Sequence, residues 1–207
     1  MTTRLAPGLA GLCLGGMLLS GCSALGSLQS AATPLETYEL TPLAAPAAQR
    51  ATGRRVLEIA LPTATGALTS ERIAIKPGPL QVQALPEARW VDEATDHVQL
   101  LLVRSLANAG AFGLVTAAGA GPTPDYVLLS DLQAFQAELG AGGVNVVIQT
   151  TLSLIDARDG RVVSTRSFAA SQPAADTTAD AIVPAFDAAM TRQLTEIAAW
   201  IAATPAP

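Results

Sequence analysis

The sequence predicts an α/β fold, and three observations carry that expectation. Residues 125–135, 144–157 and 161–170 are rich in β-branched and apolar residues. The last two runs flank Asp159-Gly160, a pair that tolerates positive φ and so marks a tight turn between long antiparallel strands. After Trp90, and again after Asp180, the apolar period lengthens from two to about 3.6, the spacing of a helix with one buried face.

The elements follow in order. A short strand at 37–40 lies within residues 22–54, whose small, polar and Ala/Pro-rich composition reads as a flexible tether with little apolar area to offset ordering entropy. The single folded domain is assigned to 55–203. It opens with Val56, Leu57, Ile59 and Leu61, a β-like run ended by Pro62. Residues 72–76 and 80–85 make a hairpin-like pair around Pro77-Gly78-Pro79. The first helix takes Asp92 as its N-cap. It places Val98, Leu101, Leu102, Ser105, Leu106 and Ala109 on one face and stops at Asn108 and Gly110. Gly140, Gly142 and Gly143 read as a flexible connection between strands, because no Lys-Ser/Thr pair follows them and a phosphate loop opens a helix. The last helix runs from Asp180, with Ile182, Phe186, Ala189, Met190, Leu194, Ile197 and Ile201 as its apolar stripe and Pro184 in its first turn. Residues 204–207 are expected to fray.

Residues 1–21 read as a removable signal. Arg4 supplies one positive charge, and the uncharged run 5–19 is too short to span a bilayer stably. The closing residues Leu19, Ser20, Gly21 and Cys22 resemble the lipobox of bacterial lipoproteins. That resemblance implies that the Cys22 thiol takes a diacylglycerol unit, that small Ser20 and Gly21 enter a narrow peptidase site, and that the mature chain starts at Cys22 with an added N-acyl chain. Ser23 is not the aspartate associated with inner-membrane retention, which points to the periplasmic face of an outer membrane. Two or more acyl chains, at roughly 0.8 kcal/mol per buried methylene, anchor a protein stably without a spanning helix. The other cysteine, Cys13, lies inside the signal, so no disulfide is expected in the mature chain.

The charge and side-chain inventory narrows the function. A net charge of −5, with Lys76 the single lysine, disfavours nucleic acid and a polybasic grip on anionic lipid. The single histidine, His97, reads as a surface or boundary residue. One imidazole without a free thiolate makes neither a zinc site nor a general-base machinery. Ser153, Ser164 and Ser167 lack a nucleophile-elbow pattern, and Asp156 and Asp159 flank a turn where carboxylates serve the local backbone. The expectation is a protein without catalytic residues, metal or cofactor apart from the lipid on Cys22.

Tyr38-x-Leu40, the strand 57–62, Ile73-x-Ile75 followed by Leu80, and Trp90 just before a helix occur in an order that continues through the second half. There, Asp125-Tyr126-x-Leu128 with Phe135, Leu154-x-Asp156 with Gly160-x-Val162, Phe168, and Ala185-Phe186 with Trp200 complete the set. Over residues 38–200 this pattern resembles the ABC-type transport auxiliary lipoproteins, which include the paraquat-inducible C-type lipoproteins that work with MCE-domain lipid transporters. Two positions depart from it: Lys76 stands where members often carry Arg, and Val91-Asp92-Glu93-Ala94 where a Pro-Leu pair often follows the tryptophan.

The resemblance implies an α/β sandwich related to the amino-terminal domain of TolB, a mixed sheet with the long antiparallel hairpin packed by two main helices. It also implies a non-catalytic outer-membrane accessory component whose partner is an MCE-domain transporter subunit. Structural or regulatory envelope lipoproteins, such as cell-wall synthase activators and secretion-pore components, share related folds and supply the alternative. A homo-oligomer is an analogy of the same kind. Docking through aromatic anchors nominates Trp90, Phe135 and Phe168, but ordinary core packing is the stronger reading of each, because a chain with two Trp, two Tyr and four Phe uses most of them inside. A helix–sheet interface could also hold an apolar groove for an acyl chain, and no motif in the sequence marks one.

Overall fold

The computed structural model describes residues 34–45 and 54–204. The strands among them form one mixed eight-stranded sheet, organised around β6 (Tyr126–Gly140). Along its whole length β6 pairs antiparallel with β7 (Gly143–Asp156), which pairs antiparallel with β8 (Val162–Ala174). The opposite side of β6 is shared by two branches, both parallel to it. Its first half takes β2 (Val56–Ile59), which carries parallel β5 (Leu114–Ala117) beyond it. Its second half takes β3 (Arg72–Gly78), whose antiparallel partner β4 (Gln81–Trp90) carries β1 (Glu36–Tyr38) in parallel. Between the branches, Thr63 bridges to β6, its N–H donating to the Ser130 carbonyl at 2.9 Å and its carbonyl accepting from Leu132 N–H at 2.8 Å.

Two helices close one face of the sheet. Helix α1 (Ala94–Ala109) buries Val98, Leu101, Leu102, Ser105 and Leu106, and Gly110 at φ 71° ends it in the left-handed region that glycine adopts without steric cost. Helix α2 (Ala179–Ala203) lays Ile182, Phe186, Ala189, Met190, Leu194, Ile197 and Ile201 against β7 and β8. Strand alternation supplies the facing surface. Leu128, Leu132, Val146, Ile148, Leu152, Leu154, Phe168 and Ala170 point inward, while Leu129, Asp131, Gln149 and Ser167 do not. A register shift between Leu132 and Ala134 lets the buried series continue through Phe135.

The α/β class, the two helices and the long hairpin are as expected, and several boundaries move. The Asp159-Gly160 turn is present, with Gly160 at φ 71°. The glycine stretch is not a flexible connection but a two-residue turn, with Gly140 and Gly143 paired across it and Gly143 at φ 103°. Likewise β3 runs through Pro77, and the turn to β4 is only Pro79-Leu80, because Gly78 and Gln81 already pair. Strand β5 and a 3-10 turn at Gly66–Thr69 were not expected. Glu93, not Asp92, is the N-cap of α1, and Thr178 that of α2, so Pro184 sits in the second turn and its missing N–H leaves the Asp180 carbonyl without that bond. Residues 35–45, assigned to the tether, belong to the folded unit, where Leu40 is fully packed. Residue 204 caps α2 through its N–H rather than fraying, and the remainder of the expected tail lies outside the described residues.

Candidate functional site

The signal segment and the residues Leu19, Ser20, Gly21, Cys22 and Ser23 lie outside the described residues. The first described segment after them is an arm, residues 34–45, and its attachment is the most specific polar arrangement near the amino terminus. Strand β1 sets it on the edge of β4, with Tyr38 opposite Trp90. The Tyr38 hydroxyl donates to Glu36, and that bond to a carboxylate raises its pKa to about 12. Beyond Tyr38 the arm crosses both helices, and side chains take up its backbone. Leu40 N–H donates to His97 Nε2 at 3.0 Å, Thr41 N–H to Asp187 Oδ1 at 2.7 Å and Leu43 N–H to Ser105 Oγ at 3.1 Å. Asn108 Nδ2 returns a bond to the Leu43 carbonyl at 2.6 Å, and Arg104 pairs with Glu39 at 3.1 Å.

His97 is therefore neither a surface nor a boundary residue. It is 1% exposed, lies edge-on to Trp90 at 5.5 Å, and uses Nε2 as an acceptor, which fixes the neutral tautomer with hydrogen on Nδ1. Nδ1 is buried without a partner. Burial lowers the pKa of the imidazole, against the opposing pull of Glu39 and Asp92. A histidine held neutral and already spent on a backbone N–H is a fastener and offers no base to a substrate.

The three aromatic candidates are core residues. Trp90 is 0% exposed and Phe135 1%; with Phe186 they form a cluster of ring centroids 5.0–5.4 Å apart between β4, β6 and α2. Phe168 packs edge-on to Trp200 at 5.6 Å, and the Arg166 guanidinium lies 5.1 Å from its ring centroid. None of the three presents a side-chain face to a partner, because a sheet covered on one side by two helices needs its largest rings to fill that interface. The same cluster fills the space between α2 and the sheet at this point.

The serines and aspartates singled out from the sequence bond within the fold. Ser153 and Ser167 bond across strands to Thr165 and Thr151 at 2.9 Å, and Ser164 accepts from Trp200 Nε1 at 3.3 Å. Asp156 is clamped by Arg158, with Nη2–Oδ2 at 2.6 Å, and that pairing pulls its carboxyl down to about 2. An open cleft of about 300 Å³ lies where β1 and β4 meet the start of α2, lined by Glu36, Leu85, Glu87, Thr178 and Asp180. Its carboxylates make it acidic, yet among the described residues no three His, Cys, Asp or Glu side chains come together as a metal site. No helix among them is long and apolar enough to cross a membrane.

Comparison with known proteins draws on the same span as the arm, sheet and helices. The model of a family described as ABC-type transport auxiliary lipoprotein component matches residues 38–198. The chain belongs to that family. As an ABC-type transport auxiliary lipoprotein component it is an accessory part of a transport system and a protein of the cell envelope. A crystal structure of a Xanthomonas campestris protein from the DUF330 family is similar at 27% identity and a TM-score of 0.72, over 82% of this chain and 96% of that one. A second, of an uncharacterized protein, has 17% identity and a TM-score of 0.65 over 81% of this chain and 99% of its own. No curated protein matches the chain.

Proposed function

We propose that this ABC-type transport auxiliary lipoprotein is a non-catalytic component of an MCE-type lipid transport system, held on the periplasmic face of the outer membrane by acyl chains on Cys22. The observation that carries the reading is the order of features along one chain. A lipobox-like Leu19-Ser20-Gly21-Cys22 precedes a domain whose family match covers residues 38–198, and Ser23 follows the cysteine. The domain supports an accessory role because His97, Ser153, Ser164, Ser167 and the Trp90–Phe135–Phe186 rings are engaged in holding the fold together. Recognition of the transporter then falls to exposed turns and strand edges, and energy input to the ATPase of the system.

Affinity capture from envelope extracts tests the partnership. The expected result is co-purification of an MCE-domain protein, and recovery of cell-wall synthases in its place overturns the assignment in favour of the regulatory alternative. Membrane fractionation tests the location: wild type is expected with the outer membrane and Cys22→Ser as an unprocessed precursor. Normal processing of Cys22→Ser refutes the lipidation.

A further inference from the structure

The end of the sheet where β3 turns into β4 carries Leu80, the most exposed large apolar side chain among the described residues. Residues 79–84 are exposed in an unbroken row, so the hairpin stands clear of the body, and its tip carries Leu80 at 97% and Val82 at 52% exposure. Residues 77–86 contain no charged side chain. The parallel register Ala74↔Gln136 to Lys76↔Glu138 brings the β6–β7 turn to the same end, and its residues 139–144, Leu-Gly-Ala-Gly-Gly-Val, are uncharged too. Lys76 and Glu138 lie behind the tips and pair with each other at 3.9 Å. Two turns without charge, one crowned by an exposed leucine between Pro79 and Val82, form an apolar prow that packing does not require.

The direction of the arm indicates what meets it. Strand β1 is parallel to β4, with Glu36 opposite Ala88, and β4 runs away from the tip. Followed backward, β1 therefore points from Tyr38 and Glu36 toward the tip side. From the level of Ala88 to Leu80 is about 25 Å along the strand. Cys22 precedes Pro34 by twelve positions, a length of chain that reaches at most about 40 Å. An anchor at Cys22 and the tip at Leu80 can thus meet one bilayer together.

We propose that the Pro79-Leu80-Gln81-Val82 tip dips into the interfacial region of the same bilayer that holds the Cys22 acyl chains, as a second contact that sets the orientation of the domain. This rests on the lipoprotein reading above. The acyl chains already provide affinity, so the tip supplies direction. With the sheet standing on this prow, the opposite end, which carries the Asp156–Gly160 turn and the Arg158 and Arg161 side chains, faces away from the membrane. Because the tip is uncharged and the chain acidic, the contact is apolar, independent of anionic lipid and insensitive to salt.

The test uses the full-length, lipidated protein in phosphatidylethanolamine–phosphatidylglycerol vesicles. An environment-sensitive fluorophore is attached to Leu80→Cys, with Val162→Cys at the opposite end as the reference and Val82→Cys as a second tip position. Mass spectrometry of the amino-terminal residue reports the thioether lipid separately. With Cys22 lipidated, the tip labels are expected to shift their emission to the blue and to be quenched by shallow nitroxide lipids, at low and at high salt, while the label at 162 keeps its aqueous emission. Aqueous emission at 80 and 82 on a protein whose Cys22 lipid is confirmed overturns the proposal and leaves the lipoprotein reading intact. A blue shift that appears without vesicles and grows with protein concentration also overturns it, by assigning the tip to a second copy. An unmodified Cys22 overturns the lipoprotein reading itself.

Discussion

Replacing Trp90 by alanine is the perturbation whose size the structure fixes best. The indole is 0% exposed and touches three other rings, with centroids at 5.2 Å to Phe186, 5.4 Å to Phe135 and 5.5 Å to His97. A buried aromatic removes about 150–250 Å² from water, and at about 25 cal/mol per Å² its loss, less what the alanine retains, costs about 3 to 5 kcal/mol. For a domain of this size each kcal/mol lowers the Tm by about 2–4 °C, so the expected drop is about 6–20 °C. Urea titration followed by fluorescence is the assay. Trp200, packed on Phe168, remains as reporter in the variant. A shift of the midpoint at unchanged slope reads the loss directly. A loss below about 1 kcal/mol, the scale of ordinary surface substitutions, would show that the four rings are not the centre of the core.

Three further outcomes follow from the packing. Gln193 accepts from Thr150 Oγ1 at 3.1 Å and reaches the Ile148 and Phe168 carbonyls at 3.4 and 3.3 Å. Gln193→Leu is therefore expected to cost about 1–3 kcal/mol by stranding the Thr150 hydroxyl, and adding Thr150→Val should recover part of that in the same titration. Acidification should loosen the arm. The native structure needs His97 neutral and burial depresses its pKa, so its contribution is complete above the unfolded value near 6.5 and is lost as pH falls below it toward the lower folded value. The protection factor of the Leu40 amide, its exchange rate relative to the intrinsic rate at each pH, is expected to fall over that range in wild type and to be low and independent of pH in His97→Phe. At the β6–β7 turn, Gly143→Val forces a β-branched residue to φ 103° and is expected to cost on the order of 1–2 kcal/mol. Gly142→Val, in open space at an ordinary φ, should leave the melting temperature nearly unchanged.

Local periodicity made the two helices and the β6–β7–β8 meander legible, because each of those signals lies within one run of residues. What escaped depends on partners distant in sequence. Strand β5 is four residues, Leu-Val-Thr-Ala, before a Gly/Ala stretch; only its parallel pairing to β2 makes it a strand. His97 looked peripheral because its partner, the Leu40 N–H, is 57 residues away. The arm beyond β1 looked like tether because its backbone is satisfied by His97, Asp187, Ser105 and Asn108 on the helices and not by a strand ladder. The burial of Trp90, Phe135 and Phe168 was legible, because a chain with few aromatic residues spends them on its interior. The exposed tip left a faint trace, since a leucine after Pro-Gly-Pro in an uncharged decapeptide is unusual in a turn.

The crossing of the arm over α1 and α2 has a mechanical consequence. A pull on the amino terminus meets β1, whose bonds to β4 lie across the strand direction, before it reaches the fastenings at Leu40, Thr41 and Leu43. Those fastenings sit on two different helices, so traction that passes β1 is divided between them as shear and does not peel one away. A load applied at the amino terminus would therefore leave the two helices in register.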